Sequence, residues 1–435
     1  MDLNELIWLR QNIHKLDKNL RTQIIGQHRT LSKMPCYFHK PLRYLNDKFR
    51  TLPVIIQYEL LREDPDIIQS KLKKHTRRQE SLKIINAVSA DISLNQLKKI
   101  IDHSAVMKIY LDREVNTLLD VAVPVVSADR VWEQNYTGKN TTIAIIDTGI
   151  QEHPDFVMPM NRIIAFQDFV NNKTSPYDDN GHGTHCAGTA AGNGHASGGK
   201  YKGPAYEAKL VVIKTLDKMG SGKSSTVIRG LEWCLNNKEK YGINVASLSF
   251  GYKATSSYRE DPVCQAVEKL WNEGIVLCAA SGNEGPDTKT VNSPGIHPAI
   301  ITVGASDDKN TSQLKDDIIA DFSSRGPTPD GLTKPDLLAP GTNIVAPLAK
   351  SSYLDMTSLN VSDNSLYISL SGTSMSTPIC AGVAAQLLEA KPDLTPQQLK
   401  EALLKNCDKI TTADANTQGS GCINAFKALR AIRPV

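Results

Sequence analysis

Between Thr142 and Asp147 the chain reads Ile-Ala-Ile-Ile, apolar at every step and without polar alternation. Such a run predicts a strand buried on both faces, as in the interior of a parallel sheet. Apolar runs at 208–214, 244–250, 274–280 and 299–303 predict further strands. Residues 224–237, 261–272 and 378–390 carry apolar positions at helical spacing. Strand and helix alternate at the interval that parallel pairing with crossover helices requires. The expected fold class is therefore α/β, with a doubly wound, mostly parallel sheet. Thr395 followed by Pro396 predicts the cap and first position of a late helix.

The N-terminal third has a different texture. Residues 1–50 are polar, with helix-like spacing at Leu3, Leu6, Ile7, Leu16 and Leu20, and read as an extension. Residues 51–118 read as a small α+β unit. Its expected elements are a strand at 53–60, a helix at 64–75 opened by Asp64-Pro65, and a strand pair across 82–92. A helix capped by Ser93, with Leu94, Leu97, Ile100 and Ile101 on one face, and a strand at 106–111 complete it. The third segment is 119–435, and no internal repeat or low-complexity stretch interrupts it.

Three phrases carry candidate chemistry. Ser374 stands in Gly-Thr-Ser-Met-Ser-Thr-Pro, ahead of the apolar helix run, and Pro378 suits a first helical turn. Asp147 ends the buried strand, where open α/β sheets place their ligands. His182 opens a small-residue helix in Asn-Gly-His-Gly-Thr-His. A serine hydroxyl is a weak nucleophile until an imidazole takes its proton and a carboxylate holds that imidazole's tautomer. Each residue alone has an ordinary explanation: a helix-cap serine, a strand-end aspartate, a structural histidine. The α/β-hydrolase elbow is excluded, because Ser376 occupies its final glycine position and both partners precede Ser374. His182 and His185 lack a nearby third ligand for zinc.

The order Asp147, His182, Ser374 within these phrases resembles the subtilisin-like serine proteases, or subtilases, for which that chain order is established. The resemblance runs from about Val125 to Ala428. It implies a serine endopeptidase working through an acyl-enzyme. It implies that Asn283, in Ala-Ala-Ser-Gly-Asn-Glu-Gly, is the side-chain donor of an oxyanion hole; in this family losing that donor costs about 10²–10³ in kcat. By the same resemblance Ser249, Phe250 and Gly251 line one wall of the substrate cleft, and Ala280, Ser281 and Gly282 line the other. A large apolar side chain before the scissile bond is expected, although Phe250 stands where a smaller aliphatic residue is usual. Residues 51–118 resemble an inhibitory propeptide, which implies a precursor that cuts itself near 115–121. The chemistry needs no cofactor. A structural calcium ion is implied at Asp155 with the loop 192–203, whose altered length and lack of an acid depart from the pattern.

Composition narrows the partners. A net charge of +4 gives no general electrostatic case for nucleic acid. The Lys/Arg clusters at 71–78 and 98–99 read as solvated helix faces. No stretch is long enough to span a membrane, and the first residues lack a signal peptide. Eight cysteines without a CxxC pair read as reduced thiols. The expected setting is the cytoplasm, with secretion by a non-standard route left open, and the expected partners are polypeptide substrates and the chain's own propeptide. Cys186 follows His182 by one helical turn, so mercurials or oxidation are expected to inhibit through it.

Overall fold

The computed structural model describes residues 8, 10–17, 20, 21, 24, 51–59, 77–112, 114–117, 124–309, 311, 314–358, 361, 362, 366–410 and 412–433. The chain forms two compact units, Met1–Arg113 and Glu114–Val435. The expected helix at 64–75 and residues 118–121 lie outside the described residues.

In the first unit, β1 (Thr51–Tyr58), β2 (Arg77–Leu82), β3 (Ala87–Ser93) and β4 (Val106–Leu111) form an antiparallel sheet in the order β2-β3-β1-β4. Helix α1 (Leu94–Ile101) crosses it with Leu94, Leu97, Ile100 and Ile101 buried. Ser93 and Gln96 close a reciprocal capping box, which fixes where the strand ends and the helix begins. Leu16, Leu20 and Ile24 join the same apolar core.

The second unit opens with the short strand β5 (Glu114–Thr117) and continues into β6 (Thr142–Asp147), buried at all six positions. Then follow β7 (Ile163–Asp168), α2 (His182–Ala191), β8 (Lys209–Lys214), β9 (Ser221–Lys223) and α3 (Ser224–Asn236). Next come β10 (Ile243–Leu248), β11 (Phe250–Lys253), α4 (Pro262–Asn272) and β12 (Val276–Ala280). The chain ends through β13 (Asn292–Ser293), β14 (Ile301–Asp307), β15 (Ile318–Ile319), β16 (Leu337–Pro340), β17 (Ile344–Pro347), β18 (Val361–Ser362), β19 (Tyr367–Leu370), α5 (Thr373–Ala390), α6 (Pro396–Lys405) and α7 (Ala425–Ile432).

The central sheet runs β15-β14-β12-β10-β6-β8-β7, with β16 also on β14. Every pairing in it is parallel except β14 with β15. Helix α5 packs on β10, β12, β14 and α2, while α3 meets β6 and α4 meets β12. The close fit of α5 on α2 needs a glycine, because a Cβ at Gly382 would stand 2.7 Å from the Ala190 carbonyl. The fold is the α/β, mostly parallel arrangement that the pattern predicts.

The strand pair expected across 82–92 is instead a short 3-10 turn at Lys83–Ile85 followed by the single strand β3. Near the candidate site two further boundaries differ from the sequence reading. The strand expected over 244–250 stops at Leu248, and Phe250 starts an antiparallel strand in a second sheet, ordered β13-β11-β5-β9. Helix α5 begins at Thr373, five residues before Pro378. Both differences arise at Ser374 and Ser249. Among the described residues, no helix is long and apolar enough to cross a membrane.

Candidate active site

Parallel pairing of β6 with β10 and β8 carries Asp147 to the carboxyl edge of the sheet, fully buried. Its Oδ1 accepts from the Thr148 N–H at 2.7 Å and meets His182 Nδ1 at 2.7 Å. His182 reaches that position because the loop before α2 is tied down. The Asp178 carboxylate accepts from the N–H groups of Asn180, Gly181 and Thr184 and from the Thr184 hydroxyl. The Thr148 hydroxyl donates to the same carboxylate at 2.9 Å, joining the loop to the Asp147 turn. A Cβ at Gly183 would stand 2.2 Å from the Gly149 carbonyl, so only glycine permits this approach. Beneath both segments the buried Lys214 ammonium donates to the carbonyls of Thr148 and Leu216 and to Asp179, at 2.5, 2.9 and 2.7 Å.

Ser374 is the second residue of α5 and is fully buried. Pro378 lies four residues on, inside the helix rather than in its first turn, and has no N–H to give the Ser374 carbonyl. That carbonyl accepts instead from the Ser249 hydroxyl at 2.7 Å and the Cys186 thiol at 3.6 Å. In return the Ser374 hydroxyl donates to the Ser249 carbonyl at 2.8 Å. The break between β10 and β11 at Ser249 frees both of its groups for this exchange. Cys186 Sγ lies 3.7 Å from His182 Nδ1 and 3.8 Å from Nε2. The sulfur therefore touches the imidazole and the backbone of Ser374 together. Ser374, Ser249 and Cys186 thus meet beside the His182 ring.

Asn283 is held by its carbonyl end. Its Oδ1 accepts from the Thr373 N–H at 2.9 Å and the Thr373 hydroxyl at 3.1 Å, which turns Nδ2 away as a donor. Thr373 Oγ1 also accepts from the Gly282 N–H at 3.2 Å. Ala280 ends β12, Ser281 and Gly282 follow it, and Gly282 is linked to the start of α5 through Thr373. Phe250 is fully buried, and Phe250 and Gly251 pair with β5.

Burial works against a charged His182, but the Asp147 charge and hydrogen bond, with the Cys186 sulfur, outweigh it and hold the imidazole well above its ordinary range. Burial pushes the Cys186 thiol up, in its neutral form. His185 is driven down to about 3 by burial and the neighbouring His182, and its Nε2 rests 3.1 Å from the Ile344 carbonyl. It is a neutral structural residue.

Residues 138–421 match the Subtilase family of peptidases, family S8. The chain belongs to this family. It is 43% identical to Serine protease AprX of Bacillus subtilis (strain 168) over 431 residues, 96% of each chain. It is 35% identical to Subtilisin Savinase of Lederbergia lenta over 305 residues, 70% of this chain and 96% of that one. An Alkaline protease of Shouchella clausii shares 33% over 349 residues, 80% of each. The chain is a subtilisin-like serine endopeptidase.

Three positioning residues of this subtilase escape a reading of the sequence. Thr373 holds Asn283 from 90 residues away, and Lys214 holds Thr148 from 66 residues away. Asp178 sits inside the histidine phrase, and an Asp-x-x-Gly turn before a helix is the signal that could have marked it.

Asp155 lies elsewhere, beside β19. Its Oδ1 accepts from the Ala196 N–H at 2.9 Å, and the Tyr367 hydroxyl bonds its two oxygens at 2.9 and 3.0 Å. Arg162, 7% exposed, donates to the Asp155 carbonyl at 2.5 Å and to Ala208 at 2.9 Å. Burial lowers its guanidinium to about 10, against the opposing pull of Asp155 and Glu207, so it stays cationic. A calcium ion takes 6–8 oxygens, several of them carboxylate. Here the carboxylate is already engaged, the Arg162 guanidinium holds the main-chain carbonyl of the same residue, and 192–203 contains no acid. This donor set does not fit calcium.

Proposed function

We propose that this endopeptidase works through Asp147, His182 and Ser374, and that it is made as a precursor that cuts itself. The observation that carries the reading is the buried cluster in which Asp147 meets His182 at 2.7 Å and Cys186 bridges that imidazole to Ser374. The Ser374 hydroxyl turns from Ser249 to His182, attacks the scissile carbonyl and gives its proton to the imidazole. Asp147 keeps the tautomer and stabilises the imidazolium. The Asn283 amide and the Ser374 N–H, at the positive start of α5, receive the oxyanion. His182 then protonates the leaving amine, and water activated by the same imidazole releases the acyl group.

Substrates are polypeptides, bound extended between β9 and β11 by strand addition. Glu114–Thr117 already fills that place, pairing antiparallel with both strands, and supports the chain's own N-terminal segment as the first substrate and inhibitor. The chemistry draws on no cofactor, and the cytoplasm is its proposed setting.

A fluorophosphonate probe and casein hydrolysis test the reading. The processed protein should label at Ser374, and Ser374→Ala should abolish labelling and lower kcat by ~10⁶, the loss seen on removing the serine in this family. Casein hydrolysis retained by Ser374→Ala would sink it.

A further inference from the structure

The segment that follows β17 touches the carriers of both Asp147 and His182. Residues 348–358 form a strap that includes a short helix, Tyr353–Thr357. Ser352, sealed from solvent, caps that helix by accepting the Asp355 N–H. The first N–H groups of a helix have no partner within it. Here they go to the loop that delivers His182. Tyr353 donates to the Asp179 carbonyl and Leu354 to the Asn180 carbonyl, each at 2.9 Å. The Asn180 side chain in turn accepts the His182 N–H at 3.1 Å. Gly181 lies against the same strap, where a Cβ would stand 2.7 Å from Ser352 Oγ and 3.3 Å from Leu354 Cβ. The other foot of the strap is held near the aspartate. Gln151, four residues after Asp147, accepts the Lys350 N–H and donates to the Lys350 carbonyl at 3.2 Å. Its own N–H goes to the Thr184 hydroxyl of α2 at 3.0 Å. Between the two feet Asp355 braces the strap, accepting the Ser351 N–H at 2.8 Å and facing the Lys350 ammonium at 3.4 Å.

We infer that the strap is a positioning device, in which the Tyr353 and Leu354 N–H groups and the Gln151 amide keep His182 in register with Asp147. The inference rests on the proposed triad. These groups act through the imidazole and take no part in the bond changes. A displacement of about 1 Å in a catalytic group costs roughly 10² in rate. It also changes how the imidazole titrates. Among the described residues, the titratable groups that face His182 are Asp147 from β6 and Cys186 and His185 from α2. Asp147 and Cys186 raise it, and His185 is neutral. Loosening the 2.7 Å contact with Asp147 therefore lets the imidazole hold its proton less tightly.

Tyr353→Pro is the sharpest test. Ser352 already has φ −78° and ψ 169°, as a residue before proline prefers, and proline suits a first helical position. The helix should survive while its bond to Asp179 is lost. Tyr353→Ala keeps that N–H and is the conservative partner. Gln151→Ala releases the other foot and decides the matter if the proline variant does not fold. Each is assayed on a peptide anilide, with kcat counted per fluorophosphonate-labelled site so that unfolded chains drop out. In Tyr353→Pro and Gln151→Ala, kcat should fall about tenfold or more while KM stays within about threefold. The acid limb of kcat/KM should move to lower pH in both. Tyr353→Ala should restore kcat to within about threefold of the wild type. Wild-type kcat in both release variants would overturn the inference. So would a rise in KM alone, which marks a substrate wall, or a lower kcat with the acid limb unmoved, which marks a general loss of order. The protease reading survives each of these results. A wild-type chain that neither labels nor hydrolyses the anilide removes that reading and the inference with it.

Discussion

His182 and Cys186 set what can be tested one residue at a time. In the proposed mechanism the imidazole must be neutral to take the Ser374 proton. Its pKa is raised, so the neutral form is lost as pH falls through a value above 6.5. Activity should therefore fall on the acid side at a higher pH than an ordinary imidazole would give, and kcat/KM against pH on a peptide anilide reads this directly. Asp147→Asn removes the charge that raises the value. The acid limb should then move down while kcat drops by ~10⁴, the loss seen when a triad aspartate is replaced. An acid limb at or below 6.5 in the wild type would contradict the electrostatics described. Cys186 provides a second handle. Its sulfur, an Asp147 oxygen and a His182 nitrogen lie within 4.8 Å of one another, a set that a thiophilic ion can bridge. Mercuric ion at equimolar dose should abolish hydrolysis in the wild type and spare Cys186→Ser. Equal inhibition of both would show that the thiol is not the target.

At the scale of elements, much of the second unit is legible because pattern and burial agree. Thr142–Asp147 is buried at every position, as an unbroken apolar run demands, and α3 ends within one residue of expectation. The boxes at Ser93 with Gln96 and Thr395 with Gln398 form where the local signals put them. The start of α5 was not legible. Proline usually reports a first turn, but here distant donors, Ser249 and Cys186, occupy the carbonyl that Pro378 leaves unpaired. The gap between β10 and β11 was hidden for the same reason, since an apolar stretch does not announce that one serine must leave the ladder. Long-range ion pairing is equally silent in the sequence. Asp336, at the start of β16, receives the Lys334 ammonium at 2.5 Å, Lys400 from α6 at 3.0 Å and the Thr302 N–H of β14 at 2.7 Å. Two buried ammonium groups depend on this one carboxylate. Asp336→Asn should destabilise the fold by about 3–5 kcal/mol, the usual cost of stranding a buried charge. Denaturant unfolding of the Ser374→Ala background would measure it without self-digestion. A loss under about 1 kcal/mol would mean that water or rearranged carbonyls solvate the two lysines.

For the whole molecule, the question is what substitutes for a metal in holding the second unit together around Asp155. The sequence carries the aspartate that a calcium-binding relative would use, and for that reason it suggests an ion. The structure directs the same carboxylate to Tyr367 and the Ala196 N–H, while the Arg162 guanidinium holds the Asp155 main-chain carbonyl. These contacts join the β6–β7 connection, the loop after α2 and β19. The replacement is built from protein groups, so its strength does not depend on free ion concentration. A calcium site filled at a hundred times its dissociation constant would add about 2.7 kcal/mol to stability. In a domain of this size that is at least several degrees in Tm. We predict that EDTA leaves the Tm of Ser374→Ala unchanged within one degree (about the precision of the measurement), and that millimolar calcium does not raise it. Tyr367→Phe should lower Tm, because it leaves a buried carboxylate short of a donor at a cost of about 1–3 kcal/mol. If instead chelation lowers Tm by several degrees and calcium restores it, the carboxylate is serving a metal and the tyrosine contact is a bystander. Agreement of the two measurements, no response to chelation and a clear loss in Tyr367→Phe, would assign the cross-link to the hydroxyl and the guanidinium.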